Sequence, residues 1–114
     1  LLLTALSLHV SRLRLRHRVS FGDGGHKDLL IAMRAHGNAL EQSMLYAALA
    51  LGYAALPAAD AEIAIAGAIG FVVARVLHAF AVFARRLPLR QAAHVASMLV
   101  QLMLVAAIGR ALWP

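Results

Sequence analysis

Apolar residues run along the chain in four long blocks, separated by short polar stretches that alternate between basic and acidic. The first block opens with Leu1-Leu2-Leu3-Thr4 and predicts a helix over about residues 1–11, one that begins within a span whose upstream part is missing. A first loop follows from Ser11 to Asp28, with Arg12, Arg14, Arg16, Arg18 and Lys27 set against Asp23 and Asp28, and with Gly22-Asp23-Gly24-Gly25 as a turn signal. The second block predicts a helix over 26–56, ended by Pro57. At 1.5 Å per residue that stretch spans about 46 Å, more than a ~30 Å hydrocarbon core requires, so its first turns protrude or lie in the interface. The connection from Pro57 to Glu62 carries Asp60 and Glu62 and no base, and Asp60 is placed to cap a third helix over 61–84. The basic turn Arg85-Arg86-Leu87-Pro88-Leu89-Arg90 then leads into a fourth helix over 88–113, with Pro88 suited to its first position.

Polar residues inside these blocks fall into stripes. Arg34, Asn38 and Glu41 recur at i, i+4 and i+7, which stacks them on one helical face. Arg75 and His78 stand one turn apart in the apolar third block. Arg90, His94, Ser97 and Gln101 form a further stripe in the fourth, where His94, Ser97 and Gln101 read as interhelical hydrogen-bonding groups. Gly67 and Gly70, with Ala66 and Ala74, read as a close-packing face, Tyr46 and Tyr53 as lipid-facing or interfacial aromatics, and Trp113 as a belt anchor. His9 and His17 flank the first loop as interfacial residues. His36 and Glu41 lack the i, i+4 spacing of two ligands on one helix face, so no metal site is expected there.

Composition decides the solvent. Of 114 residues 62% are hydrophobic and only 14% charged, against about 25% charged in soluble proteins. The fold class is therefore all-α, an integral membrane four-helix bundle forming a single domain over 1–114. Cysteine is absent, which excludes disulfides, thiolate metal sites and a protein thiol nucleophile. The net charge of +6 sits in clusters beside apolar spans, where it acts as a topology signal instead of a nucleic-acid surface. Basic first and third loops and an acidic second loop place the first and third loops in the cytoplasm. The polar stripes of helices two, three and four then share one leaflet.

A charge at bilayer depth costs about 2.5–3.5 kcal/mol on insertion scales, so Arg75 and Glu41 should face protein, water or ligand. One reading is structural, with an internal Arg34–Glu41 ion pair and with Arg75 and His78 reaching for headgroups. The other is a pocket: arginines suit carboxylates, Glu41 suits an ammonium, and Asn38 both donates and accepts.

The run Arg34-Ala35-His36-Gly37-Asn38-Ala39-Leu40-Glu41, followed by Ala74-Arg75-Val76-Leu77-His78-Ala79, resembles the MAPEG family, the membrane-associated proteins of eicosanoid and glutathione metabolism. The loop Gly22-Asp23-Gly24-Gly25-His26 is similar to the small bacterial branch of that family, which implies a bacterial inner membrane. The resemblance implies a homotrimer of four-helix protomers in the lipid bilayer, with glutathione as co-substrate between subunits on the cytoplasmic side. It also implies that Arg34, Asn38 and Glu41 contact glutathione, with His36 and Gln42 at more variable positions. Arg75 matches the arginine of the family's helix-three motif, and His78 stands where tyrosine or histidine is common. Family enzymes often carry a tyrosine one turn further on, where this chain has Val82. By position, Arg90 is the arginine that would hold the glutathione thiolate, with Arg85 and Arg86 as alternatives.

The resemblance thus implies a glutathione transferase or peroxidase-type enzyme acting on lipophilic electrophiles through a stabilised thiolate. Two other functions fit a small four-helix membrane chain: a multidrug transporter, and a noncatalytic trimeric scaffold. The transporter calls for an acidic residue deep in the first helix and an aromatic-lined path, neither of which is visible here.

Overall fold

The computed structural model describes residues 1–113 and contains four helices, α1 (Leu2–His17), α2 (Lys27–Ala54), α3 (Ala61–Phe83) and α4 (Leu87–Leu112), with no strand among the described residues. They form an elongated bundle of 56 × 27 × 18 Å. Helix α3 packs most extensively on α4, α1 lies against α2, and α2 touches both α3 and α4.

Three of the four helices match their expected bounds within two residues, and α1 does not. The basic stretch expected to be loop from Ser11 onward is helical to His17, because arginine and leucine, which make up Arg12 to Arg16, are both good helix formers. Leu13 is buried against Leu29 and Ala32 of α2, which anchors that extension. Further along, Leu6 packs with Ala35 and Ala39. The stripe Ala32, Ala35 and Ala39 is almost wholly buried, so α2 offers α1 a smooth face of small residues.

Three of the helix ends have an identifiable stop or cap. At α1 the chain turns through Arg18 in the left-handed region (φ 56), while the Val19 amide donates to Arg14 O at 3.0 Å. The same device ends α3: Arg85 has φ 54 and the Arg86 amide donates to Ala81 O at 2.9 Å. At the start of α3, Asp60 Oδ1 accepts from the Glu62 amide at 2.7 Å and the Ile63 amide at 3.3 Å, as its sequence position predicts. The Asp60 amide in turn donates to the Tyr53 hydroxyl at 2.8 Å. Tyr53 is therefore buried inside the α2–α3 turn, which corrects its reading as a lipid-facing aromatic. Tyr46 is half-buried and stacks on Phe71 at 4.1 Å between ring centroids, so it too serves packing between α2 and α3.

The first loop is held by an arginine that sequence reads only as a charge. Arg14 Nη1 donates to the carbonyls of Ser20 (3.2 Å) and Gly22 (3.0 Å), and Nη2 reaches Met33 Sδ at 3.5 Å. Gly24 has φ 56, and a Cβ there would lie 2.6 Å from Val19 Cγ2, so the loop admits only glycine at that position. At its end His17 Nε2 lies 2.8 Å from Asp28 Oδ2, and this hydrogen bond holds the Asp28 carboxyl below its ordinary range.

Helices α3 and α4 are long and apolar enough to cross a membrane, with mean hydropathies of 2.0 and 1.9 over their best windows. Only 33% and 17% of those windows is buried within the chain, unlike the mostly buried core helix of a soluble domain. Ile65, Ile69, Val72 and Val76 of α3 and Val95, Leu99, Leu102 and Val105 of α4 face outward. Gly67 sits where the two helices meet α2, and a Cβ there would lie 3.3 Å from Met103 Cε and 3.7 Å from the Tyr46 hydroxyl. Gly67 and Ala74 are buried as the packing reading expects, whereas Ala66 is exposed.

Two stability effects follow. Asp60→Ala removes the cap of α3 and should lower stability by about 1 kcal/mol, with Asp60→Asn retaining most of it; unfolding in mixed micelles measures both. Arg18→Gly should raise stability by roughly 0.5–1 kcal/mol, the left-handed penalty less the extra chain entropy of glycine. An unchanged midpoint would show that the left-handed cap carries no strain.

Candidate functional site

Helix α2 uses two faces. Its alanine stripe is given to α1, and the adjacent face presents Arg34 and Asn38 to α3 and α4. These two residues line an open cleft of about 520 Å³. Helix α3 contributes His78 and Val82, the α3–α4 turn contributes Arg85 and Arg86, and α4 contributes Arg90 and His94, one turn apart. The left-handed cap at Arg85 explains why two successive arginines stand at the mouth: the chain reverses there within two residues.

The electrostatics of the cleft have one sign. Arg34, Arg85, Arg86 and Arg90 line it, with no carboxylate among its described lining residues. The ion pair of the alternative structural reading is not formed: among the described residues the one salt bridge is His17–Asp28, and Arg34 and Glu41 are both exposed. Four guanidiniums around one open volume make an acceptor for carboxylate or other anionic groups.

Behind this lining lies Arg75, only 3% exposed. Its Nη1 donates to Asn38 Oδ1 at 2.9 Å, while Nε and Nη2 are buried without a partner. Arg75 therefore stands one residue back from the cleft and acts on it through Asn38, fixing the amide with its oxygen toward α3. Two orphaned donors on a buried cation are costly, about 1–3 kcal/mol each, a condition found at sites that take an acceptor from elsewhere. His94 Nδ1 is likewise buried and unpartnered.

The sequence-predicted residues thus divide. Arg34, Asn38, His78 and Arg90 come together, with Arg85 and Arg86 beside Arg90. Glu41, His36, Gln42 and Arg75 do not line the cleft. Gln42 is engaged elsewhere: Gln101 Nε2 donates to its backbone oxygen (3.3 Å) and to its Oε1 (3.2 Å), tying α4 to α2 as the interhelical reading expects. Ser97 Oγ, by contrast, donates within its own helix to Ala93 O at 3.0 Å. His94 is the lining residue that sequence reading assigned to packing, and its position one turn after Arg90 was the available signal. Val82 occupies the cleft wall one turn beyond His78 and offers no hydroxyl there.

Comparison with known proteins now adds an independent line. The Inner membrane protein YecN of Escherichia coli strain K12 is 54% identical over 41 residues, 36% of this chain and 31% of that protein. The corresponding protein of Escherichia coli O6:H1 strain CFT073 matches to the same extent. The aligned stretch thus spans less than a third of the length of these relatives. No solved structure matches the chain. The sequence pattern of the MAPEG family matches residues 1–110, nearly the whole chain, and covers all four elements that build the cleft and its support. A four-helix membrane protein with a cationic cleft between α2, α3 and α4, this chain belongs to the MAPEG family.

Proposed function

We propose that the cleft binds glutathione and that the protein is a membrane-embedded glutathione transferase or peroxidase-type enzyme acting on lipophilic electrophiles. The observation that carries this reading is the convergence of Arg34, Arg85, Arg86 and Arg90 on one open volume without a lining carboxylate. Glutathione has two carboxylates and one thiol that must be ionised to react, and guanidiniums serve both needs. They bind carboxylates in bidentate fashion, and they lower the pKa of a nearby thiol from its usual value of about 8.5.

On this reading Arg34 and Asn38 orient the peptide, with Asn38 held by Arg75. Arg90, or its neighbours Arg85 and Arg86, holds the sulfur as thiolate, and the thiol proton leaves to solvent through the open mouth. The sulfur lone pair then forms a C–S bond with an electrophilic carbon arriving from the lipid side, past the outward apolar faces of α3 and α4, as the leaving group departs with its bonding pair to solvent. With a hydroperoxide it attacks the terminal oxygen, the O–O bond breaks, the alkoxide takes a proton from solvent, and a second glutathione converts the sulfenic acid to disulfide and water. Glu41, exposed on the same helix as Arg34, would take the ammonium from the surface of a neighbouring protomer in a homotrimer. The chain's place in an inner membrane, with the first and third loops cytoplasmic, is part of the same proposal.

Glutathione should raise the thermal midpoint of detergent-solubilised protein and produce thiolate absorbance, with conjugation of a model electrophile. Heat protection without thiolate or turnover would leave a glutathione-binding protein and remove the transferase claim. Glu41→Gln should weaken the protection, and if it has no effect the ammonium contact is wrong. Arg75→Met separates structure from binding. It removes two unpartnered donors, so the ligand-free protein should change by no more than about 1 kcal/mol. Glutathione protection should nevertheless fall, because Asn38 loses its orienting donor. A large loss of ligand-free stability would instead assign Arg75 to helix packing.

A further inference from the structure

The corner between α1 and α2 holds a cluster that the cleft does not use. His17 ends α1, His26 is the residue preceding α2, and Asp28 lies in the first turn of α2. One donor atom from each lies within 4.8 Å of the other two. The two imidazoles are stacked, with centroids 3.9 Å apart and planes inclined by 13°, and Asp28 Oδ2 meets His17 Nε2 at 2.8 Å. Both histidines are half-buried and the carboxylate is exposed, so the cluster is open on one side.

Two imidazoles and a carboxylate are donors of a definite preference. Magnesium and calcium take oxygen ligands, whereas first-row transition ions favour imidazole, and three such donors with one water complete a tetrahedral zinc site. Bonds of about 2.0–2.2 Å set neighbouring donors of such an ion roughly 3.3–3.5 Å apart. The His17–Asp28 pair must open slightly. Because an imidazole coordinates through a lone pair in its ring plane, the His26 ring must rotate about χ1 and χ2 out of the stack to turn its nitrogen to the ion, a movement open to this half-buried side chain.

The backbone beneath them is already fixed. The Arg18 cap sets the end of α1, Arg14 grips the carbonyls of Ser20 and Gly22, and the His26 amide donates to Asp23 O at 2.9 Å. The positive charge at this corner lies mostly on exposed side chains. Arg16, Arg18 and Lys27 are exposed and screened by solvent, and Arg14 is turned toward the loop carbonyls.

We propose that His17, His26 and Asp28 bind a divalent first-row transition ion of the zinc type, with water as its fourth ligand. The ion replaces the proton now shared between His17 and Asp28 and ties the end of α1 to the start of α2. Asp28 lies six residues, about 9 Å along the helix, before Arg34, so a bound ion stiffens the support of the cleft without entering it.

The test uses the full chain, purified without a histidine tag and stripped with EDTA, titrated with cobalt as a spectroscopic probe and with zinc by calorimetry. The expected result is one saturable ion per chain, a tetrahedral cobalt absorption displaced by zinc, and a zinc-dependent rise in thermal midpoint that EDTA reverses. His26→Gln and Asp28→Asn should each weaken binding at least tenfold with helix content unchanged, as should His17→Ala, while His9→Ala binds like the parent. Absence of saturable binding, or a His26→Gln variant that binds as tightly as the parent, overturns the site and leaves the cluster a hydrogen-bonded structural pair. Should His17→Ala disturb α1, the two variants on the α2 side decide the matter.

Discussion

The hydrogen bond from Arg75 to Asn38 is the interaction around which the bundle is arranged. A guanidinium placed in an apolar helix cannot be left facing lipid, and α2 supplies its one partner at 2.9 Å. Forming that contact sets the rotation of α2 about its own axis. Once Asn38 points to α3, the alanines at 32, 35 and 39 must turn to α1, and Arg34 must turn to the space beside α4. Gln101 fixes the remaining relation by reaching the backbone and side chain of Gln42. Polar contacts between helices are worth more as register than as raw stability, since each contributes only about 0.6 kcal/mol on average in membrane bundles.

Small residues make that register possible. Gly67 and Ala74 keep α3 close to its neighbours, and the near contact with Met103 and Tyr46 at Gly67 shows how little room remains. At the other end of α3, packing gives way to charge. The left-handed turn at Arg85 closes the backbone hydrogen bonds locally, which frees the Arg85 and Arg86 side chains from structural duty and leaves them at the cleft mouth.

Much of this arrangement was legible in the sequence because periodicity is a local signal. The stripes through Arg34 and Asn38, Arg75 and His78, and Arg90 and His94 are visible as spacings, and the cap at Asp60 and the first-turn proline Pro88 of α4 are visible as residue types. What escaped depends on partners without side-chain identity or on distant pairs. Arg14 is bound by backbone carbonyls of a loop, so nothing in its neighbours' chemistry announces the contact. Tyr53 is buried by a backbone amide, and its ring alone reads as interfacial. The length of α1 was missed because arginine serves both as topology signal and as helix former, and only the burial of Leu13 decides between them. His17 and His26 are separated by a glycine-rich turn whose exact path sets whether their rings meet.

The uneven hydropathy of the four helices has a consequence for biogenesis. Helices α3 and α4, joined by a tight basic turn, form a hairpin whose apolar surface is mostly unburied within the chain. Helix α1 carries Arg12, Arg14 and Arg16 in its last two turns, and α2 carries Arg34 and Glu41 within its length. Among the described helices, α3 and α4 therefore carry the most apolar surface suited to lipid. That hairpin carries Arg75 into the apolar layer with it, and the contact with Asn38 on α2 is what relieves the cation there.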